Sequence, residues 1–380
     1  MTTTSGTTAA VALPPGGFGN GIFQAYVNGE ERPGAGEFTV LTGELNPAGP
    51  GLDVLYGRGT PGTSYLRVLD VGTGVSYVQG QLVTHAKEVS LDPLVTSVQL
   101  SGAESVTRWL VPDAFVLEQR VAISGTTAAD TRLTVTTKVT DFRPERHRFR
   151  IEYVWDATVA GDDAPVVQLG PAGGSFRPFE PVSSTEQTFP RSTGDLAVVD
   201  RYANPGAPTF AVAVFAVGDP QAVPDAVQYV CLSDAVFAPV GEYVTDPARD
   251  IAGPGSDCRN SAGSTDAGLL LRWTADAAPG DATVAATVRM SPASPYPTTL
   301  KAGPLSLGSA TATLTDTATG RPIPGRTLVF SAGGRVRCTL TTDGAGRATC
   351  DQLLTGLLGY DVDFAGDAIW AAAHAHGGLR

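Results

Sequence analysis

The sequence predicts an all-β protein, a large multi-stranded antiparallel β-sandwich followed by a small one, and three observations carry that prediction. Residues 115–156 hold three consecutive runs of two-residue alternation. Phe115, Leu117, Val121 and Ile123 share one face of the first, and Leu133, Val135 and Val139 one face of the second. Phe149, Ile151, Tyr153 and Trp155 share one face of the third. Successive side chains of a strand point to opposite faces, so each run reads as a half-buried strand, with Glu118, Arg120, Lys138, Arg148, Arg150 and Glu152 on the wet side. Together they read as a three-stranded meander. Next, 45 Gly and 28 Pro cut the 380 residues into short runs, the rhythm of many strands joined by many turns. Last, no convincing amphipathic helix longer than three turns can be read.

In chain order, residues 1–16 form a low-complexity Thr/Ser/Gly/Ala arm, expected to be flexible. The arm has neither the basic nor the apolar region of a secretory leader. From 17 to 80 the runs GIFQAYV, GEFTVLTG, LDVLYG, TSYLRVLDVG and VSYVQG are each bounded by turn residues, and Asn28-Gly29 marks a tight turn. TSVQL and ESVTRWLV follow, then the three alternating runs. The stretch after Asp156 is loop-rich, and its prolines exclude a long central strand. Strand signals return at 195–202, 209–217 and 226–232; residues 238–268 are a turn-rich excursion; 269–275 and 281–290 close the series. No linker-like stretch divides 17–290, which is read as one large domain. Three prolines make 291–298 a stiff linker. A small domain at 299–373 and a tail at 374–380 complete the chain.

In the small domain a Leu-Thr-Asp strand (314–316) leads to a Gly-x-Pro-x-Pro-Gly turn (320–325) and a Val-Phe strand (329–330). A Thr-Asp-x-x-Gly hairpin (342–346) and a Tyr-Asp-Val strand running into Phe-x-Gly-Asp (360–367) follow. With these elements in order, residues 299–373 resemble a bacterial Ig-like repeat of surface and adhesin-type proteins. The resemblance implies a spacer or adhesive module, usually without catalytic residues, and it transfers fold better than function. By strand number and length alone, the large domain faintly resembles the supersandwich of galactose-mutarotase-like proteins, and no catalytic residue is carried over from it.

The net charge of −12 argues against nucleic acid, which wants a concentrated basic patch, and against an anionic membrane surface. No run of eighteen apolar residues is present, so no membrane insertion is expected. The four cysteines fall into two local pairs. Cys338 and Cys350 flank the 342–346 hairpin as if on facing strands, and Cys231 and Cys258 bracket the turn-rich excursion. Two local disulfides point to an oxidising compartment. Without a CxxC, neither a zinc ribbon nor a redox dithiol is expected.

Asp156, Asp162 and Asp163, in WDATVAGDDAP, form the best acidic cluster. Hard oxygen ligands on a loop after a strand suit Ca²⁺, although the spacing is not that of an EF-hand and no Glu closes the set. The plainer alternative is aspartates capping turns. Glu152 or Asp156 with a distant partner could make a carboxylate pair for glycoside hydrolysis. His374 and His376 read as solvated tail residues, His147 as a turn residue and His85 as a strand residue open to a binding role. Trp109, Trp155, Trp273 and Trp370 read as core. The expected function is therefore that of a non-catalytic secreted or cell-surface protein, structural or adhesive, with no cofactor beyond the candidate Ca²⁺. Its expected partners are other surface proteins, glycans or further copies of itself. The alternatives are a carbohydrate-binding or carbohydrate-active domain with an Ig-like accessory, and a subunit of an extracellular coat, fibre or tail. A groove carrying Trp or Tyr with two carboxylates favours the carbohydrate alternative.

Overall fold

The computed structural model describes residues 16–380 except 47, 81–84, 160, 171–183, 192–194, 200–211, 216–223, 252–255, 257, 260–262, 278–279, 292–295, 307–308, 318–319, 352–358, 368–369 and 379–380. Residues 1–15 of the expected arm and 292–295 of the expected linker thus lie outside the described residues. The fold is all-β. Eight strands form one sheet in the order Val166–Gly170, Asp195–Val199, Val212–Phe215, Gly280–Ser291, Arg132–Asp141, Phe115–Ser124, Glu104–Val111 and Val95–Leu100. Seven form a second, in the order Gln187–Pro190, Ala226–Cys231, Ala267–Ala277, His147–Asp156, Tyr65–Asp70, Val75–Val78 and Glu88–Ser90. A three-stranded sheet of Gly16–Gly19, Phe23–Val27 and Phe38–Thr42 packs beside them.

The two large sheets meet through the residues that alternation assigned inward. Leu117, Val121, Leu133 and Val139 of the first are buried against Phe149, Ile151, Trp155 and Leu271 of the second. The seam is aromatic. The rings of Phe115 and Phe149 lie 5.2 Å apart edge to face, and Phe38 of the small sheet meets Tyr153 at 6.4 Å and Trp155 at 6.3 Å in the same manner. Edge-to-face contacts of this kind add to the burial of the rings themselves.

The meander is not formed. Phe115–Ser124 and Arg132–Asp141 pair as expected, but His147–Asp156 belongs to the opposite sheet, between Tyr65–Asp70 and Ala267–Ala277. The link at 142–146 is an arch from sheet to sheet rather than a hairpin. Arg143 holds it, pairing with Asp141 at 2.9 Å and Asp70 at 2.5 Å, with its guanidinium over the Phe115 and Phe149 rings. The first two strands keep a wet, charged face, with Arg108–Glu118 at 2.7 Å and Lys138–Asp281 at 2.6 Å. The third does not. Its second face is covered by residues 232–243, and Glu152 and Val154 are buried.

The C-terminal strands make two further sheets. Thr298–Ala302, Ala310–Asp316 and Arg347–Cys350 form one; Arg335–Thr341, Thr327–Ala332, Gly359–Phe364 and Ala373–Gly378 form the other. Here too an expected hairpin is an arch: the strands carrying Cys338 and Cys350 lie in different sheets, and their disulfide joins the sheets. Gly346 is needed at the turn, because its φ is +71° and a Cβ there would come within 2.5 Å of the Leu314 carbonyl. Tyr296 and Trp370 pack at 5.6 Å. The second disulfide joins Cys231 and Cys258, with Cα atoms 5.4 Å apart. Residues 373–378, expected as a tail, are a strand paired with Gly359–Phe364. Among the described residues no helix is long and apolar enough to cross a membrane.

Candidate functional site

The strand His147–Asp156 ends on Asp156, whose register partner on the neighbouring strand is Gly268. Beyond Asp156 the chain makes a tight turn, with Val159 and Asp162 exchanging backbone hydrogen bonds at 3.2 and 3.0 Å around Gly161. The turn sends Asp163 back toward the strand end, where the Ala267 amide donates to its carbonyl at 3.0 Å. Asp266 immediately precedes Ala267–Ala277 in the antiparallel neighbour and arrives from the other direction. Asp156, Asp163 and Asp266 thereby bring carboxylate oxygens within 4.8 Å of one another. Asp156 is 5% exposed, and its Oδ1 is buried without a hydrogen-bond partner. Burial first, and then the Asp266 charge, push the Asp156 carboxyl well above its ordinary range. Burial and the Asp163 charge raise Asp266 to about 6.

Of the three aspartates singled out in the sequence, Asp156 and Asp163 thus meet, and Asp162 does not join them. Its Oδ1 accepts the Ala164 amide at 3.2 Å, the role of a turn residue. Asp266, more than a hundred residues away, carried no local signal; only the pairing of the two strands could have found it. Glu152 is withdrawn from catalytic use. It lies under residues 236–243 between Arg67 and Arg272, whose Nε atoms donate to it at 2.8 and 2.6 Å. His374 and His376 pair with Asp363 at 2.8 Å and Asp361 at 2.9 Å across two strands, so they are strand residues rather than a loose end. His147 pairs with Asp141 at 2.8 Å, and His85 Nε2 lies 2.8 Å from the Phe237 carbonyl. All four tryptophans are core.

A second feature lies five residues along the same strand, about 17 Å from the acidic cluster at the ordinary strand rise. Ala267–Ala277 and Gly280–Ser291 follow each other in sequence but enter different sheets. Among the described residues each also outruns a neighbour, since pairing with Ala226–Cys231 stops at Arg272 and pairing with Val212–Phe215 at Val288. Beside these strands lies a cleft of about 360 Å³ lined by Arg191, Asp225, Trp273, Thr274, Asp276 and Thr283, among others. Asp225 Oδ2 accepts the free Thr274 amide at 2.7 Å. Arg148 donates to Asp276 at 2.8 Å and holds its carboxyl below the usual range, so this group is an anion at neutral pH. Trp273 is 5% exposed and supplies the aromatic lining. The arrangement offers charged acceptors, a guanidinium and hydroxyls around one indole, a set suited to a polyhydroxylated ligand.

No protein-family model matches the chain, and no curated protein does; the Ig-like resemblance of residues 299–373 thus has no family match behind it. Solved structures are similar at low identity. A protein from Escherichia coli K12 described as a candidate aldose 1-epimerase is 13% identical, with a TM-score of 0.40 over 72% of this chain and 98% of its own. A galactose mutarotase-like protein from Lactobacillus casei ATCC 334 is 10% identical, with a TM-score of 0.35 over 73% and 99%. A candidate kojibiose phosphorylase from human microbiome is 8% identical, with a TM-score of 0.30 over 72% of this chain and 29% of its own. Likeness at this level concerns the fold. The expectation of a non-catalytic protein is corrected at this point: the neighbours are described as a candidate aldose 1-epimerase, a galactose mutarotase-like protein and a candidate kojibiose phosphorylase, descriptions that belong to them.

Proposed function

We propose that this is a carbohydrate-active protein that takes a saccharide in the cleft between the strands Ala267–Ala277 and Gly280–Ser291. The observation that carries it is the lining: Trp273 beside Arg191, Asp225, Thr274, Asp276 and Thr283, in a space of about 360 Å³, toward the small end of ordinary ligand sites. Asp276, ionised beside Arg148, accepts sugar hydroxyls, Arg191 donates to ring and hydroxyl oxygens, and the threonine hydroxyls serve either way. The two disulfides support work outside the cytoplasm. Residues 298–378 act in this proposal as an Ig-like spacer; the seven strands described there, in two sheets joined by Cys338–Cys350, support that part.

The test is a saturation-transfer NMR screen of mono- and oligosaccharides against the full chain, repeated with Arg191→Ala and Asp225→Asn. Arg191 and Asp225 are exposed, so folding should survive both changes. At least one sugar class should bind the parent, with affinity falling about tenfold in each variant, the worth of one hydrogen bond to a charged group. Absence of binding across the screen, or binding untouched by both variants, would sink the cleft as the site.

A further inference from the structure

We propose that Asp156, Asp163 and Asp266 form a site for a hard divalent cation, Ca²⁺ in the first instance, that ties the end of one strand of the seven-stranded sheet to the start of its neighbour. The site is separate from the saccharide cleft and does not depend on it.

Two independent observations meet here. The carboxylate oxygens lie within 4.8 Å of one another, and oxygens on one Ca²⁺ at roughly 2.4 Å from it can be at most about that far apart. Inside the cluster, Asp156 is 5% exposed, with Oδ1 buried and unpartnered. A buried carboxylate oxygen without a donor is costly, and a folded chain seldom keeps one unless something binds it. Thr63 Oγ1 lies beside the Asp156 carboxylate, favours its charged form and offers a neutral oxygen to the same space. The charges acting on Asp156 are those of Asp266 and Asp163, and the charge acting on Asp266 is that of Asp163. Each is another carboxylate, so the charges acting on Asp156 and Asp266 are repulsive where a cation would supply attraction.

The chain around the site is held in place. The Ala267 amide donates to the Asp163 carbonyl at 3.0 Å, the Leu232 amide to the Asp266 carbonyl at 3.1 Å, and Thr158 to the Asp163 carboxylate at 3.4 Å. Cys258, in its disulfide with Cys231, lies against the Asp266 carbonyl, with Sγ 2.9 Å away. A site whose backbone is fixed before the ion arrives loses little entropy on binding. All-oxygen ligands with three formal charges suit Ca²⁺ better than Mg²⁺, which is slow to shed its own water.

The full chain, stripped with EGTA, is titrated with CaCl₂ and separately with MgCl₂ by calorimetry and followed by thermal melting, alongside Asp266→Asn and Asp163→Asn. A saturable Ca²⁺ isotherm is expected, with the melting temperature rising about 3 °C at a hundredfold excess over Kd and a weaker response to Mg²⁺. Each variant should weaken Ca²⁺ at least tenfold. Without metal, Asp266→Asn should melt no lower than the parent, since a like-charge contact has been removed. No heat and no shift at about 10 mM CaCl₂, well above the weakest extracellular sites, would overturn the site. So would a Ca²⁺ response undiminished in both variants, and an equal response to Mg²⁺ would overturn the choice of ion.

Discussion

Glu37 is 6% exposed, and its carboxylate accepts a hydrogen bond from Asn28 Nδ2 at 3.3 Å. Burial, reinforced by the Asp92 charge, raises its carboxyl from 4.5 to about 8. The folded chain therefore holds this proton to about pH 8, and the unfolded chain gives it up near the ordinary carboxylate value. Between the two, the unfolded state binds fewer protons, so the sign of the linkage makes stability fall as pH rises through that window. Urea denaturation of the parent at about pH 5 and about pH 9 should differ by a few kcal/mol in this direction. Glu37→Gln keeps an acceptor for Asn28 and removes the proton; it should flatten the profile and gain stability at the alkaline end. A variant as pH-dependent as the parent would show that Glu37 is not the group responsible. Nothing in the run GEFTVLTG announces this, and only the chain folded over Glu37 takes away its water.

At the scale of the strand, Arg67, Glu152 and Arg272 stand abreast on three neighbouring strands as direct register partners. Arg67 Nη1 goes on to the Ala238 carbonyl at 3.0 Å and Arg272 Nη1 to the Tyr243 carbonyl at 3.0 Å, so the row also fastens the covering segment. Glu152→Gln would leave two guanidiniums facing each other under that segment. Loss of one partner from a buried pair costs about 3–5 kcal/mol, and a shift of that size in the urea midpoint is expected. A change under 1 kcal/mol, the range of an exposed pair, would mean that the row is solvated. The alternation of RFRIEYVWD was legible as a strand with Phe149, Ile151, Tyr153 and Trp155 inward. That its other face is also covered was not, because Arg150, Glu152 and Asp156 have the polarity of a wet face, and the segment that covers Glu152 lies some eighty residues on.

At the scale of the molecule, arches govern the architecture. Residues 142–146, the link between Ala267–Ala277 and Gly280–Ser291, and the turn through Gly346 each carry the chain from one sheet to another, and at the first and third the sequence suggests hairpins. The cleft lined by Trp273, Thr274 and Thr283 lies between the strands joined by the second of these, and the Cys338–Cys350 disulfide spans the third. A disulfide closing a loop of that size, with a sequence separation of 12, contributes about 3 kcal/mol in the chain-entropy account. A Cys338→Ser, Cys350→Ser double variant should lose that much in urea denaturation, with near-ultraviolet dichroism reporting loosened packing of Phe330 on Tyr360. Unchanged stability would mean that the contacts between the two small sheets suffice without the bond.

By itself the sequence determined the class, most strand positions, the inward-facing residues, the cysteine neighbourhoods and two members of the acidic cluster. Each of these is written in residues close together along the chain: a period of two, a turn residue, a local pair. The tertiary structure alone decided which sheet each strand enters after its turn, and with it the third aspartate, the cleft and the burial of Glu37 and Glu152. A turn sequence constrains the backbone over about four residues. Whether the next strand then pairs with the last one or crosses to face it depends on partners a hundred residues away, such as Arg272 for Glu152 and Gly268 for Asp156.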